Sequence, residues 1–279
     1  MSPAFMPRLR TRGAVVALVL CAFVATGCGA IQDAAEEAAT AAKSPETPQE
    51  KLLASVPTSD TGPYAFTQKN TGAPDGTPDI TGVVNPPGKS SESRAVVTNA
   101  DPKFVMKMDF RVIAKDSWLH VAFEDTDDVT GLPSLPDKWM QIDPSKLKNK
   151  EEYPIEWGLD SEDPAGVEVL FGAVVDAKDA GPGAFSGTLD LTKSRDSEAV
   201  DEEIITALGP KANAVPFTAK LDAEGRTSEV VLQVPASAKN KAYTYTITLS
   251  DYGTATPVTT PKDSEIAATP PGAYELLNA

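Results

Sequence analysis

The chain has 279 residues, 41% of them hydrophobic, with a formal charge of −15 and two cysteines. So acidic a chain is repelled by phosphate backbones and anionic lipid head groups, which disfavours nucleic-acid binding and any membrane contact resting on a basic patch. The apolar fraction suffices for a real core, so the body is not wholly disordered.

In chain order, Arg8, Arg10 and Arg12 precede an apolar run from Gly13 to Val24, and Ala25-Thr26-Gly27-Cys28 follows. The run is too short to span a bilayer and reads as the apolar segment of a secretory signal peptide. Met6, just before the basic residues, is an alternative start. The small residues Ala25, Thr26 and Gly27 give a peptidase access to the bond before Cys28. The stretch resembles the bacterial lipobox, with Ala25 where leucine is commoner. That resemblance implies cleavage after Gly27 and acylation of Cys28 by diacylglyceryl and palmitate-type chains. The mature protein would then be held at the extracytoplasmic face of the cell membrane. Cleavage without lipid is the alternative. Loss of residues 1–27 removes three arginines and Cys21, taking the charge from −15 to −18 and leaving one thiol, too few for an intrachain disulfide.

Residues 28–50 read as a tether, its alanines favouring helix and Pro45 and Pro48 breaking it. Residues 51–279 read as a single domain. Lys51 to Val56 suggests a helical turn. Strands are expected at Tyr64–Lys69, Ile80–Val84 and Arg94–Thr98. The next is the clearest: Phe104, Met106, Met108, Phe110 and Val112 alternate with Val105, Lys107, Asp109, Arg111 and Ile113, a period of two that marks one buried face. Trp118–Phe123 returns, with Leu119, Val121 and Phe123 on one side and Trp118 and His120 on the other. A strand over 138–143 is followed by a turn at Pro144–Leu147 and a polar loop over 148–165 containing Trp157.

Helical spacing of Val167, Leu170, Phe171, Val174 and Lys178 suggests one amphipathic helix over 167–178. A second runs from Ser197 to Leu208, with acidic first turns and Val200, Ile204 and Leu208 inside. Between them Phe185–Leu191 reads as a strand. The last third is an antiparallel meander through Val215–Leu221, Val230–Val234 and Tyr243–Leu249. Its first hairpin loop turns at Gly225. Short helices are expected at 264–268 and 274–277. The class is α+β.

At Trp139–Asp143, Gly187–Asp190, Leu221–Arg226 and Tyr245–Gly253 the order of strands and short signatures resembles the LppX/LprG family of actinobacterial cell-envelope lipoproteins. The resemblance spans roughly residues 50–260. It implies a strongly curved antiparallel half-barrel with helices packed on its concave face, and an apolar cavity between them that binds an acylated lipid. The family has no fixed catalytic residues, so no enzyme activity and no cofactor are expected. Candidate lining residues are Met106, Met108, Phe110, Val167, Leu170, Phe171, Val174, Val200, Ile204 and Leu208. Each serves equally well as plain core, and the alternative function is a tethered, non-enzymatic interaction or structural module with a closed core and an unidentified protein partner.

Other motifs carry less. His120 is the lone histidine, which excludes a histidine-based metal site, and a half-exposed strand position suits it better than a catalytic base. No G-x-S-x-G elbow is present. Asp125 to Pro136 begins like a calcium loop but places Val129 and Pro136 where ligands belong, so no metal is expected. Trp118, Trp139 and Trp157 read either as a ligand mouth or as partly buried sheet residues.

Overall fold

Alternation of apolar and polar residues along the strands builds one open sheet, seen in a computed structural model that describes residues 46–127, 129–149, 153, 163–197 and 199–278. Twelve strands are hydrogen-bonded in the order β12-β6-β5-β4-β3-β2-β1-β11-β10-β9-β8-β7. They are β1 Tyr64–Thr71, β2 Asp79–Asn85, β3 Ser90–Ala100, β4 Lys103–Ile113, β5 Asp116–Glu124, β6 Trp139–Gln141, β7 Val174–Gly181, β8 Ala184–Leu189, β9 Val215–Leu221, β10 Thr227–Val234, β11 Tyr243–Ser250 and β12 Ile266–Ala267. Two meanders, β1 to β6 and β7 to β11, meet where β1 pairs with β11. All these pairs are antiparallel except β12 with β6. With four short α-helices among the described residues, the chain is an α+β protein built on a large, mostly antiparallel sheet.

The helices are α1 Pro48–Ala54, α2 Val167–Gly172, α3 Glu202–Leu208 and α4 Pro271–Leu277. Three differ from the sequence expectation. Helix α1 begins inside the expected tether: Thr47 caps it, Glu50 completes the capping box, and Pro48 sits in the first turn, where its missing N–H costs nothing. Leu52 is then fully buried.

Helix α2 ends at Gly172, not at residue 178. From Val174 the chain is strand β7, paired with β8. The β-branched pair Val174-Val175 favours extended backbone, and the ladder with β8 decides the matter. Lys178 therefore shares no helical face with Leu170. Gly166 precedes the helix at φ +66°, and a Cβ there would collide with the Ser197 backbone. Helix α3 starts at Glu202 because Asp201 caps it, accepting from the Glu203 N–H at 2.7 Å. Val200 is therefore outside the helix, though still buried. In the C-terminal region, the helix expected at 264–268 is a single 3₁₀ turn followed by β12, while α4 lies close to where a helix was expected.

Cross-strand partners point to the same side of a sheet, so the register defines its faces. One row runs Phe185, Ala219, Val230, Ile247, Gln68, Ile80, Ala95, Met108, Val121 across β8 to β5. The adjacent row runs Leu249, Phe66, Gly82, Ser93, Phe110, Leu119, Met140. This face runs unbroken over the sheet and is apolar toward both ends, with Gln68, Gly82 and Ser93 between them. The opposite face carries Lys107, Asp109, Arg111 and His120, and the threonines of β11.

Candidate functional site

The apolar face supports two separate clusters of buried side chains. The larger joins β1, β2 and β8 to β11 with α2 and α3; Val167, Leu170, Phe171, Val200, Ile204 and Leu208 all belong to it, and Val174 packs partly buried against it. The smaller joins β4, β5 and β6 with Ile142, Leu147, Tyr153 and α4; Met108 and Phe110 belong to it, with Met106 half-buried at its margin. The ten expected lining residues thus lie on one face of the sheet but are not brought together around one space. Three stand under α4, and seven around α2 and α3. Val167, Leu170 and Phe171 are completely buried, which is the environment of packed core.

Between the clusters the face is floored by Gly82, Ser91, Ser93 and Ala95 of β2 and β3, all half-buried. Gly82 is forced by its neighbour: a Cβ there would overlap the Phe66 ring and the Glu92 carbonyl. Sequence inspection missed this strip, whose small residues carry no hydrophobic signal, and also missed α4 as a contributor, although Ala273, Tyr274, Leu276 and Leu277 make that helix apolar. For the strip the signal is the cross-strand register, which the sequence alone does not display.

The opposite face holds an ionic network. Arg94 donates to both carboxylate oxygens of Asp109, from Nη2 at 2.8 Å. His120 places Nδ1 3.3 Å from Asp109 and Nε2 2.9 Å from Asp137. Arg111 pairs with Glu92, lies 4.4 Å over the Trp139 ring, and donates from Nη1 to the Thr259 carbonyl at 2.9 Å. Both His120 nitrogens therefore face carboxylates, the geometry of a structural clamp. Burial alone would push Arg94 down, but the Asp109 hydrogen bonds and charge outweigh it and hold the guanidinium above its ordinary value.

Trp118, expected as a ligand-mouth or partly buried sheet residue, is buried. The segment after β11 runs over this side of the sheet: Arg111 reaches Thr259 and Lys138 donates to the Ser264 carbonyl. Trp118 and Trp139 alternate with Leu119 and Met140, so neither lines the apolar face. Asp125 pairs with Lys103 at 3.0 Å. Among the described residues no group of three or more histidine, cysteine or acidic side chains is placed to hold a metal ion, and no helix is long and apolar enough to cross a membrane. Cys28, the cleavage residues Ala25, Thr26 and Gly27, and Trp157 lie outside the described residues.

Scanned against protein-family models the chain matches none, and no curated protein matches it.

Proposed function

We propose that this is a membrane-anchored, extracytoplasmic lipoprotein that holds an amphiphilic, acylated lipid on the apolar face of its sheet. In this reading the sheet curls as a half-barrel, the helices lie on its concave side, and diacylglyceryl-Cys28 tethers the body near the bilayer. The observation that carries it is the register: one face, apolar toward both ends, continues across β8 to β5, while the described helices that pack on it have only six or seven residues each. A helix of seven residues is about 10 Å long, short against a face of that width at about 4.8 Å per strand. Acyl chains would gain about 0.8 kcal/mol for each CH₂ buried, less the cost of immobilisation. The LppX/LprG resemblance and the lipobox support the same reading. It assigns no reaction: the protein holds its ligand without transforming it.

A second reading is the closed module. Complete burial of Val167, Leu170 and Phe171 favours it for the α2–α3 side. Native mass spectrometry of the mature protein, extracted from its own membrane, separates the two. The carrier reading requires a co-purifying lipid adduct that organic solvent removes. Repeated preparations free of lipid, together with recovery of a stoichiometric protein partner, would favour the module.

A further inference from the structure

The protein has five methionines. Met1 and Met6 precede the expected cleavage site; the other three, Met106, Met108 and Met140, all meet in the cluster under α4. Among the described residues the larger cluster has none. Methionine is unbranched and polarizable, so a methionine-rich floor adapts to variable apolar partners where β-branched and aromatic packing does not. The covering element is weakly built. Helix α4 has seven residues, below the length at which a helix persists in water, so it is helical only while docked. It starts at the Pro270-Pro271 pair with no side-chain cap. Outside the shared cluster its polar anchorage falls on residues 141–153, including Thr269 Oγ1 to the Gln141 carbonyl at 2.6 Å and Lys148 Nζ to the Asn278 carbonyl at 3.0 Å. Ala273, Tyr274 and Leu277 are buried, the Asp143 N–H donates to the Tyr274 hydroxyl at 3.0 Å, and Tyr153 donates to the Leu277 carbonyl. Asn278 bonds the Lys146 carbonyl and the Lys148 N–H. Upstream, β12 pairs with β6 through two residues only. Surface grooves of about 420 and 550 Å³ both border Thr269, the joint between β12 and α4.

We propose that α4 is a displaceable cover over the methionine floor of β4, β5 and β6, and that an acyl chain takes its place there. This rests on the lipid-holding reading and moves the acyl site from the α2–α3 side to the opposite end of the same face. Helix and ligand compete for Met108, Leu119, Val121 and Met140, so the helix sets the affinity by self-occupancy. Apparent affinity is the intrinsic affinity multiplied by the fraction of time the cover is open.

The probe is cis-parinaric acid, whose fluorescence reports binding. The protein is the full mature chain from residue 28 with Cys28→Ser, alongside the same chain stopped after Thr269. Hydrogen exchange of the full chain is followed with and without the probe. Binding should speed exchange at Ala273–Leu277 by about tenfold or more while β9, β10 and β11 stay protected, and the shortened chain should bind about tenfold tighter. Binding by the shortened chain alone also supports the cover. If the probe binds the full chain and exchange in α4 is unchanged or slower, the cover is refuted while the lipid reading stands. If it binds neither chain, both are overturned. The exchange experiment needs no substitution near α4, so the test survives failure of the shortened chain to fold.

Discussion

Asp190 shows how a single side chain settles local structure here. It sits at the end of β8 and caps the following 3₁₀ turn, accepting from the Thr192 hydroxyl at 2.6 Å and the Thr192 N–H at 3.0 Å. Burial pushes its carboxyl up, but these bonds and Lys193 outweigh it and hold the group below the usual range. A folded-state value below the unfolded one gives stability that is complete above about pH 4 and is lost as pH falls through the folded value. Asp190→Ala should therefore cost about 1 kcal/mol at neutral pH, with the gap to the parent narrowing below about pH 4. Urea unfolding midpoints at pH 7 and pH 3 check both the size and the sign.

Secondary structure was most legible where one period dominates. In β4 the alternation of Met106, Met108 and Phe110 with Lys107, Asp109 and Arg111 admits only a strand, and the register agrees. In the α2–β7 segment, Val167, Leu170, Phe171 and Val174 fit a helix, yet Val174 also opens an edge strand that is mostly exposed. Tertiary pairing with β8 chose between two locally acceptable periods. Pro48 carries a related ambiguity: the same residue breaks a helix interior and opens a helix, and only the Thr47–Glu50 box tells the two apart. Burial of eight of the ten candidate lining residues is legible, Met106 and Val174 being only partly buried, whereas their division between two clusters depends on which strands neighbour one another. The helix also yields a discriminating measurement. If α2 is packed core, Phe171→Ala removes a fully buried ring and should lower stability by about 3–5 kcal/mol while leaving cis-parinaric acid affinity unchanged. A small stability loss with weakened binding would place the ligand at α2 instead. Chemical denaturation and a fluorescence titration of the same variant decide.

Across the whole molecule, two meanders joined at β1 and β11 place both clusters on one side and the ionic network of Arg94, Asp109, His120 and Arg111 on the other. The separation gives the sheet one ionic side, strapped in part by the segment after β11, and one mainly apolar side, and the lipid-holding proposal needs the apolar side to meet acyl chains. The LppX/LprG resemblance suggested one space between sheet and helices. The register instead draws attention to a strip of small residues, Gly82, Ser93 and Ala95, leading from the aromatic and β-branched core to the methionines. The most direct test is photo-crosslinking of the intact mature protein with a fatty acid carrying a diazirine near its methyl end, followed by peptide mapping. Lipid held on the apolar face puts the label on Met106, Met108, Val121, Phe123 or Met140, and excess unlabelled fatty acid removes it. Label confined to the polar face at Lys107, Arg111 or His120, or label that unlabelled fatty acid does not displace, would contradict the proposed lipid site.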